Sequence, residues 1–264
     1  MELGIGGKRA LVFGGSRGMG RAAAQMLSNE GVLVTIAARN QETMRAAAAE
    51  IAALSGNAVT HVAADLTREE GRAAALAACP APDILINNAD GPAPGDFRDL
   101  DRAAWIKALD SMMLGPIAMM RAVVDGMIER QFGRIINISS RSVKSPQGEM
   151  PLSNGARMGL IGFTAGLARQ TVRHKVTINN VLPGVFATDA QKNHILGMLA
   201  ADGKNADGKT FDQLWEARGR SNPAGRYGRA EEAGALCAFL CSQHAGFITG
   251  QNLLIDGGGY PGTL

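Results

Sequence analysis

The sequence predicts a single α/β domain, a doubly wound parallel sheet with helices on both faces. Three observations predict it. Short, β-branched apolar runs alternate with alanine-rich helical stretches along the chain. The runs are apolar at nearly every position, as strands covered on both faces must be. A glycine-rich turn joins the first run to the first helix. No Pro/Ser-rich linker, charge block or low-complexity segment divides the 264 residues, so residues 1–264 read as one domain with a sizeable core.

The first strand covers residues 10–13 and runs into Gly14-Gly-Ser16-Arg17-Gly18-Met19-Gly20. A helix begins near Gly18 and continues over 21–29. Gly14 permits the tight turn, Gly18 lets the backbone approach a phosphate, and Gly20 lets the helix pack close on its strand. Backbone N–H groups bared at a helix N-terminus hold a pyrophosphate. A glycine triplet alone also fits a structural loop, but its place between strand and helix favours a nucleotide. The second strand, 32–37, ends in Ala38-Arg39-Asn40, and a helix covers 41–54. A third strand at 58–63 precedes Asp65-Leu66-Thr67, where Thr67 is placed to cap the next helix. The fourth strand, 83–86, leads into Asn87-Asn88-Ala89-Asp90, and a long helical region covers 102–130. Strand five, 134–138, ends in Ser139-Ser140, and a helix covers 152–173. Strand six, 177–181, precedes the loop Pro183-Gly184-Val185-Phe-Ala-Thr188. A helix over 231–242 and strand seven over 252–255 come before Asp256-Gly-Gly-Gly259. Ligands of such a sheet bind at the strands' carboxyl ends. Those ends lie near Gly14, Arg39, Asp65, Asn87, Ser140 and Pro183.

The end of the second strand selects the cofactor. Dinucleotide folds that take NAD have an acid there, bonded to the ribose 2′-hydroxyl. Here the position is Arg39, and Arg17 lies inside the glycine turn. Either alone fits a solvated surface arginine. Together, with no acid, two guanidiniums form charge-assisted forks on a 2′-phosphate. The expected cofactor is therefore NADP (NADPH) rather than NAD.

A net charge of +3 with scattered basic residues gives no reason to expect nucleic acid. Cys79, Cys237 and Cys241 lack metal or redox spacing and read as buried thiols. His61, His174, His194 and His244 form no motif, so no metal site is expected. The N-terminus has no long apolar run and the chain no span of membrane length, which predicts a soluble, cytoplasmic protein.

An ordered set of segments now stands out: the glycine turn, Asp65-Leu66, Asn87-Asn88-Ala89, Ile136-Asn-Ile-Ser-Ser140 and Asn180-Val-Leu-Pro-Gly184 with Thr188. Gly225-Arg-Tyr-Gly-Arg-Ala-Glu-Glu232 and Ile248-Thr-Gly-Gln251 with Ile255-Asp-Gly-Gly258 complete it. Together they resemble the short-chain dehydrogenase/reductase family from residue 8 to residue 259, above all its β-ketoacyl carrier-protein reductase branch. The resemblance implies a Rossmann-type sheet of seven strands, with NADP across its carboxyl edge and hydride transfer to or from a carbonyl. It implies that Asp65 and Leu66 lie beside the adenine. It assigns Gly14, Ser16, Arg17, Gly18, Met19, Gly20, Arg39, Asn87, Ala89, Arg157, Pro183, Gly184, Val185 and Thr188 to the rest of the cofactor site. It also implies a dimer or tetramer built on the long fourth and fifth crossover helices. Their faces carry Met112, Met113, Met119, Met120, Ala156, Ala165 and Ala168, although a core stripe would look the same.

The catalytic set departs from the family's pattern. The family uses a Ser, a Tyr, a Lys one helical turn later, and an Asn from the preceding long helix. Aligned on Leu160-Ile-Gly-Phe163, the Tyr position is Ser153 and the Lys position Arg157. The Asn position is Met112, and Asp90 stands where the family has a glycine. Only Ser140 matches. A Tyr hydroxyl beside an ammonium is an acid near neutrality, whereas a Ser hydroxyl is not and Arg stays protonated. Arg157 keeps the means to donate to ribose hydroxyls and lend positive charge, and Ser140 and Ser153 to orient a carbonyl oxygen. The proton then falls to Asp90, Lys144 or Glu149, each of which also fits a solvated loop charge. Tyr227 reads as structural, and Tyr260 lies in the C-terminal tail.

Residues 190–222 break the alternation and resemble the family's substrate lid. Asp202-Gly-Lys-Asn-Ala-Asp-Gly-Lys209 forms a turn between two short helices. Ile195, Leu196, Met198, Leu199, Phe211, Leu214 and Trp215 give the segment an apolar underside, fit for a hydrophobic substrate or for packing. The expected function is NADP(H)-dependent reduction of a small-molecule carbonyl or similarly polarised double bond by a homo-oligomer with an atypical active site. The alternatives are a non-redox enzyme on the same scaffold and a catalytically silent NADP-binding sensor or partner subunit.

Overall fold

A computed structural model of the chain describes residues 1–200 and 208–263. Its sheet consists of β1 (Arg9–Phe13), β2 (Leu33–Ala38), β3 (Val59–Ala63), β4 (Ile84–Asn88), β5 (Gly133–Ile138), β6 (Val176–Pro183) and β7 (Asn252–Ile255). Their order across the sheet is β3-β2-β1-β4-β5-β6-β7, with every neighbouring pair parallel. The chain starts in the middle, builds out to β3, then returns past β1 to build β4 to β7. The reversal lies between β1 and β4, and the connections diverging there leave a crevice at the strands' carboxyl ends.

The helices are α1 (Gly18–Asn29), α2 (Gln41–Ser55), α3 (Glu69–Ala78), α4 (Arg102–Leu109), α5 (Gly115–Glu129), α6 (Pro151–Thr171), α7 (Asp189–Ala200), α8 (Phe211–Arg220) and α9 (Ala230–Cys241). The pleat decides which cluster each strand residue joins. Ala10 and Val12 of β1 pack with Leu27 of α1, Met44 of α2 and Leu240 of α9 on one face. Leu11 and Phe13 pack with Ala75 of α3, Met119 and Met127 of α5 and Leu160 of α6 on the other. Each of these Val, Leu, Met and Phe side chains, taken fully from water, contributes about 1.5–3 kcal/mol. Seven strands, helices on both faces and one domain match the fold the sequence predicts.

Three local features differ from that reading. Thr67 does not cap α3. Arg68 occupies the N-cap position, while the Thr67 N–H and hydroxyl both go to Asp65 Oδ1 at 2.9 and 2.8 Å. The long helical region is interrupted in register, since α4 passes through a π-helical turn, Asp110–Leu114, into α5. This continuous run of 28 residues is, by length and composition, apolar enough to cross a bilayer, which the sequence reading does not expect. Its apolar side is turned to the sheet, where Met119, Met120, Val123 and Met127 are buried. Five of the seven Met and Ala residues predicted to pair subunits are core, while Met113 and Ala165 are partly buried. Met112, Met119, Met120, Ala156 and Ala168 are all at most 2% exposed. The exposed apolar side chains of these helices are instead Ile106, Leu114, Met158 and Phe163. Cys79, Cys237 and Cys241 are buried as expected, and burial pushes the Cys237 thiol up to about 12, which keeps it inert.

Candidate active site

The turn after β1 is built for close approach. Gly14 has φ +65°, and a Cβ there would collide with the Asn88 side chain and carbonyl. Gly18 has φ +57°, and among the described residues a Cβ there would meet only Thr188 Cγ2 within 4 Å, at 3.7 Å. Gly18, Met19 and Gly20 open α1, so their N–H groups precede any intrahelical acceptor and remain available to an anion.

At the end of β2, Arg39 is exposed beside Asn40, which caps α2 by accepting the Thr43 N–H at 2.9 Å. Asp65 lies opposite, one strand over. Burial would raise its carboxyl, but the two Thr67 hydrogen bonds, with Arg39 and then Arg68 nearby, outweigh that and hold it below the usual carboxylate value. Arg17 reaches across from the glycine turn to the segment after β4, where its Nη2 meets Asp90 Oδ2 at 3.1 Å.

A feature the sequence reading missed runs through the sheet below this crevice. Asn87, Asn137, Asn180 and Asn252 are paired in register on β4, β5, β6 and β7. Asn87 Nδ2 donates to Asn137 Oδ1 (2.9 Å), Asn137 Nδ2 to Asn180 Oδ1 (3.0 Å), and Asn180 Nδ2 to Asn252 Oδ1 (2.9 Å) and Thr164 Oγ1 (3.1 Å). The signal was present as an Asn in each of four successive strands, Asn87, Asn137, Asn180 and Asn252. Asn87 is 2% exposed, and its Oδ1 is buried without a partner at the crevice end of this ladder. The side chain therefore serves the sheet.

The three predicted catalytic residues lie together at the ends of β4 and β5. Arg157, on α6, donates Nε to Ser153 Oγ, Nη1 to the Ile138 carbonyl and Nη2 to the Ala89 carbonyl, each at 3.2 Å. It ties α6 to both strand ends. Burial lowers its pKa to about 10, with the Asp90 carboxylate acting the other way, so it remains a cation at neutral pH. Ser153 is 1% exposed. The Ser140 hydroxyl accepts the Ser142 N–H at 3.1 Å, which fixes its lone pairs and leaves its hydrogen to donate elsewhere. Met112 sits in the π-helical turn, packed with Ala108, Leu152 and Ala156. No proton relay is possible through that apolar contact.

On the other side, the Pro183–Thr188 loop is pinned by a bridge between Phe186 and Gly228, with the Gly228 N–H on the Val185 carbonyl at 3.0 Å. Tyr227 is structural, as predicted: its ring stacks on Trp215 at 4.3 Å and its hydroxyl donates to the Trp215 carbonyl at 2.9 Å. Of the predicted apolar underside, Ile195 is buried and Leu196 is half exposed, at 51%. The Met198 side chain and most of the predicted turn (202–207) lie outside the described residues. His194 of α7 is half-buried; burial and then Arg218 lower its pKa, and Glu149 opposes them. Tyr260 lies against the same loop as Ser140, its ring centroid 5.8 Å from Lys144 Nζ.

Between these walls is a cleft of about 1110 Å³. Gly14, Ser16, Arg17, Arg39, Asp65, Leu66 and Ala89 line it, joined by Asn40, Thr43, Asn88, Asp90 and Ser111. Gly18, Met19, Gly20, Asn87, Ser140, Ser153, Arg157 and the 183–188 loop lie outside this lining. The cleft is at the large end of ligand sites. The free N–H groups of α1, the side-chain-free approach at Gly18 and the cationic rim at Arg39 fit a dinucleotide.

Residues 8–197 match the family described as short chain dehydrogenase. The chain is 33% identical over 264 residues to the 3-oxoacyl-[acyl-carrier-protein] reductase FabG of Vibrio harveyi, covering 98% of this chain and 99% of that one. It is 30% identical over 256 residues to the NADPH-dependent reductase BacG of Bacillus subtilis, covering 95% and 97%. Among solved structures, the L-sorbose reductase of Gluconobacter frateurii complexed with NADPH and L-sorbose superposes with a TM-score of 0.90 at 26% identity, covering 98% of each chain.

Proposed function

This chain belongs to the short-chain dehydrogenase family, and from that premise we propose that it is an NADP(H)-dependent oxidoreductase acting on a carbonyl, of the 3-oxoacyl or ketone kind, or a similarly polarised double bond. One observation carries the reading: a cleft at the strand-order reversal whose β2 end presents Arg39, with no acid, beside the bared N-terminus of α1. The NADPH named for BacG and for the L-sorbose reductase complex supports the same cofactor.

In this reading Gly18, Met19 and Gly20 hold the pyrophosphate, Arg39 and Arg17 the 2′-phosphate, and Asp65 and Leu66 flank the adenine. Ala89, Pro183, Gly184, Val185 and Thr188 border the nicotinamide half, and Asn87 supports it from below. Bound NADPH supplies a hydride. Ser140, oriented by the Ser142 N–H, donates its hydroxyl hydrogen to the substrate oxygen. Arg157 uses three of its five N–H groups on protein acceptors, which leaves two for ribose hydroxyls. Ser153 fixes its orientation. Proton delivery is assigned to one of the ionisable side chains Asp90, Lys144 and Glu149, of which Asp90 is held as a carboxylate while it pairs with Arg17.

The discriminating experiment follows NADPH oxidation across a panel of ketones, 3-oxoacyl thioesters, imines and enones. Turnover supports the reductase. Binding without turnover indicates a sensor or partner subunit, and no binding indicates a non-redox enzyme. Arg39→Asp is expected to weaken NADPH by roughly tenfold to hundredfold, the value of one charge-assisted contact, while NADH changes little. Equal losses for both, measured by calorimetry, would remove Arg39 from the 2′-phosphate site.

Two further parts belong to the same proposal. Residues 190–222 are assigned as the lid for a hydrophobic substrate; among its described residues, Trp215 is held on the body by its stack on Tyr227. The protein is a homo-oligomer joined through Ile106, Leu114, Met158 and Phe163, which are 38–46% exposed on neighbouring helices. Met158→Glu is expected to reduce the assembly to monomers in light scattering; an unchanged mass would place the interface elsewhere.

A further inference from the structure

Asp90 puts a carboxylate on the crevice against Arg17. Its Oδ2 takes Arg17 Nη2 at 3.1 Å. Its charge also acts on the buried Arg157 guanidinium, whose Nη2 comes within 3.7 Å of where a Cβ on the adjoining Gly91 would lie. Arg17 is the N-cap residue of α1 and Asp90 lies two residues beyond β4. The ion pair therefore spans the two connections that diverge at the strand-order reversal, and both residues line the same cleft. The two side chains are 59% and 55% exposed, so solvent weakens the pair but leaves it free to exchange partners.

We propose that Asp90 sets the cofactor preference of the site by competing with the 2′-phosphate for Arg17. This rests on the reading of the cleft as a dinucleotide site. Asp90 holds the Arg17 guanidinium through Nη2, the nitrogen that a bidentate fork on a phosphate also uses. A 2′-phosphate that forms such a fork competes with Asp90 for that nitrogen, whereas a ligand with a 2′-hydroxyl leaves the pair in place. Asp90 thus lowers the gain from the extra phosphate and keeps the two nicotinamide dinucleotides closer in affinity than Arg17 and Arg39 alone would make them.

The test is a double-mutant cycle on equilibrium binding of NADPH and NADH, with no substrate present. Asp90→Asn keeps the shape and removes the charge; Asp90→Ser is the second variant, and both sites are exposed enough to leave folding intact. Each is expected to tighten NADPH roughly twofold to fivefold, the range of an exposed ion pair, and to leave NADH unchanged. In an Arg17→Ala background the same substitutions are expected to do nothing. An equal gain in that background would mean that Asp90 repels the phosphate through space, and the competition would be wrong. A gain shared by NADH would also overturn it. If the parent protein binds neither dinucleotide, the reading of the cleft fails and this inference with it; binding without the Arg17-dependent gain sinks the inference alone.

Discussion

Arg157→Ala is expected to lower the unfolding free energy by about 3–5 kcal/mol, read as an earlier midpoint in urea with an unchanged slope. Two opposing terms decide the sign. Burying a guanidinium is costly, and its pKa, lowered to about 10, records that cost. Against it stand three hydrogen bonds from a charged donor, each contributing about 1.5–3 kcal/mol. The truncation also strands two backbone carbonyls and the Ser153 hydroxyl among the ends of β4, β5 and α6. The hydrogen bonds win. Arg157→Lys is expected to recover only part of the loss, because one ammonium cannot span acceptors on three elements in the guanidinium's planar fork. A shift below about 0.5 kcal/mol for Arg157→Ala would show that the guanidinium is not the tie between these elements.

Ser140→Ala is expected to lower turnover with NADPH by roughly 10²–10³-fold, the effect of removing one preorganised donor to a developing oxyanion. NADPH affinity should stay where it is, because the hydroxyl acts on the substrate oxygen. The Ser142 N–H loses its acceptor, at a cost of about 1 kcal/mol, so a modest drop in melting temperature accompanies the kinetic effect without explaining it. Steady-state kinetics on whichever substrate the panel identifies separates the two. An unchanged kcat would take Ser140 out of the mechanism.

The sheet was legible because parallel strands covered on both faces leave an unmistakable pattern. Runs such as Ile84-Leu-Ile86 and Ile135-Ile136 are apolar on both sides of the pleat. The glycine turn was legible because each glycine answers a local steric demand, as Gly14 does against Asn88. Features that depend on which distant side chains meet were not. Nothing local says that Arg17 pairs with Asp90, or that Arg157 reaches the Ala89 and Ile138 carbonyls. The methionine stripe on α5 was ambiguous in principle: a helix face that covers a sheet and one that covers a partner have the same spacing. Burial resolved it in favour of the core for Met119 and Met120, and moved the candidate interface to Met158 and Phe163. Thr67 was assigned as a cap by position, but α3 begins at Glu69, which puts Arg68 at the N-cap and Thr67 one residue outside it, donating to Asp65.

The central claim is that a 2′-phosphorylated dinucleotide lies along the carboxyl rim of the sheet, across the reversal between β1 and β4. A crystal soaked with NADPH tests it most directly. The account expects density running from Arg39 past Gly18 towards Ala89, with the 2′-phosphate in ion-pair contact with Arg39. A crevice without density at saturating NADPH, or a dinucleotide whose 2′-phosphate points away from both Arg39 and Arg17, would contradict it.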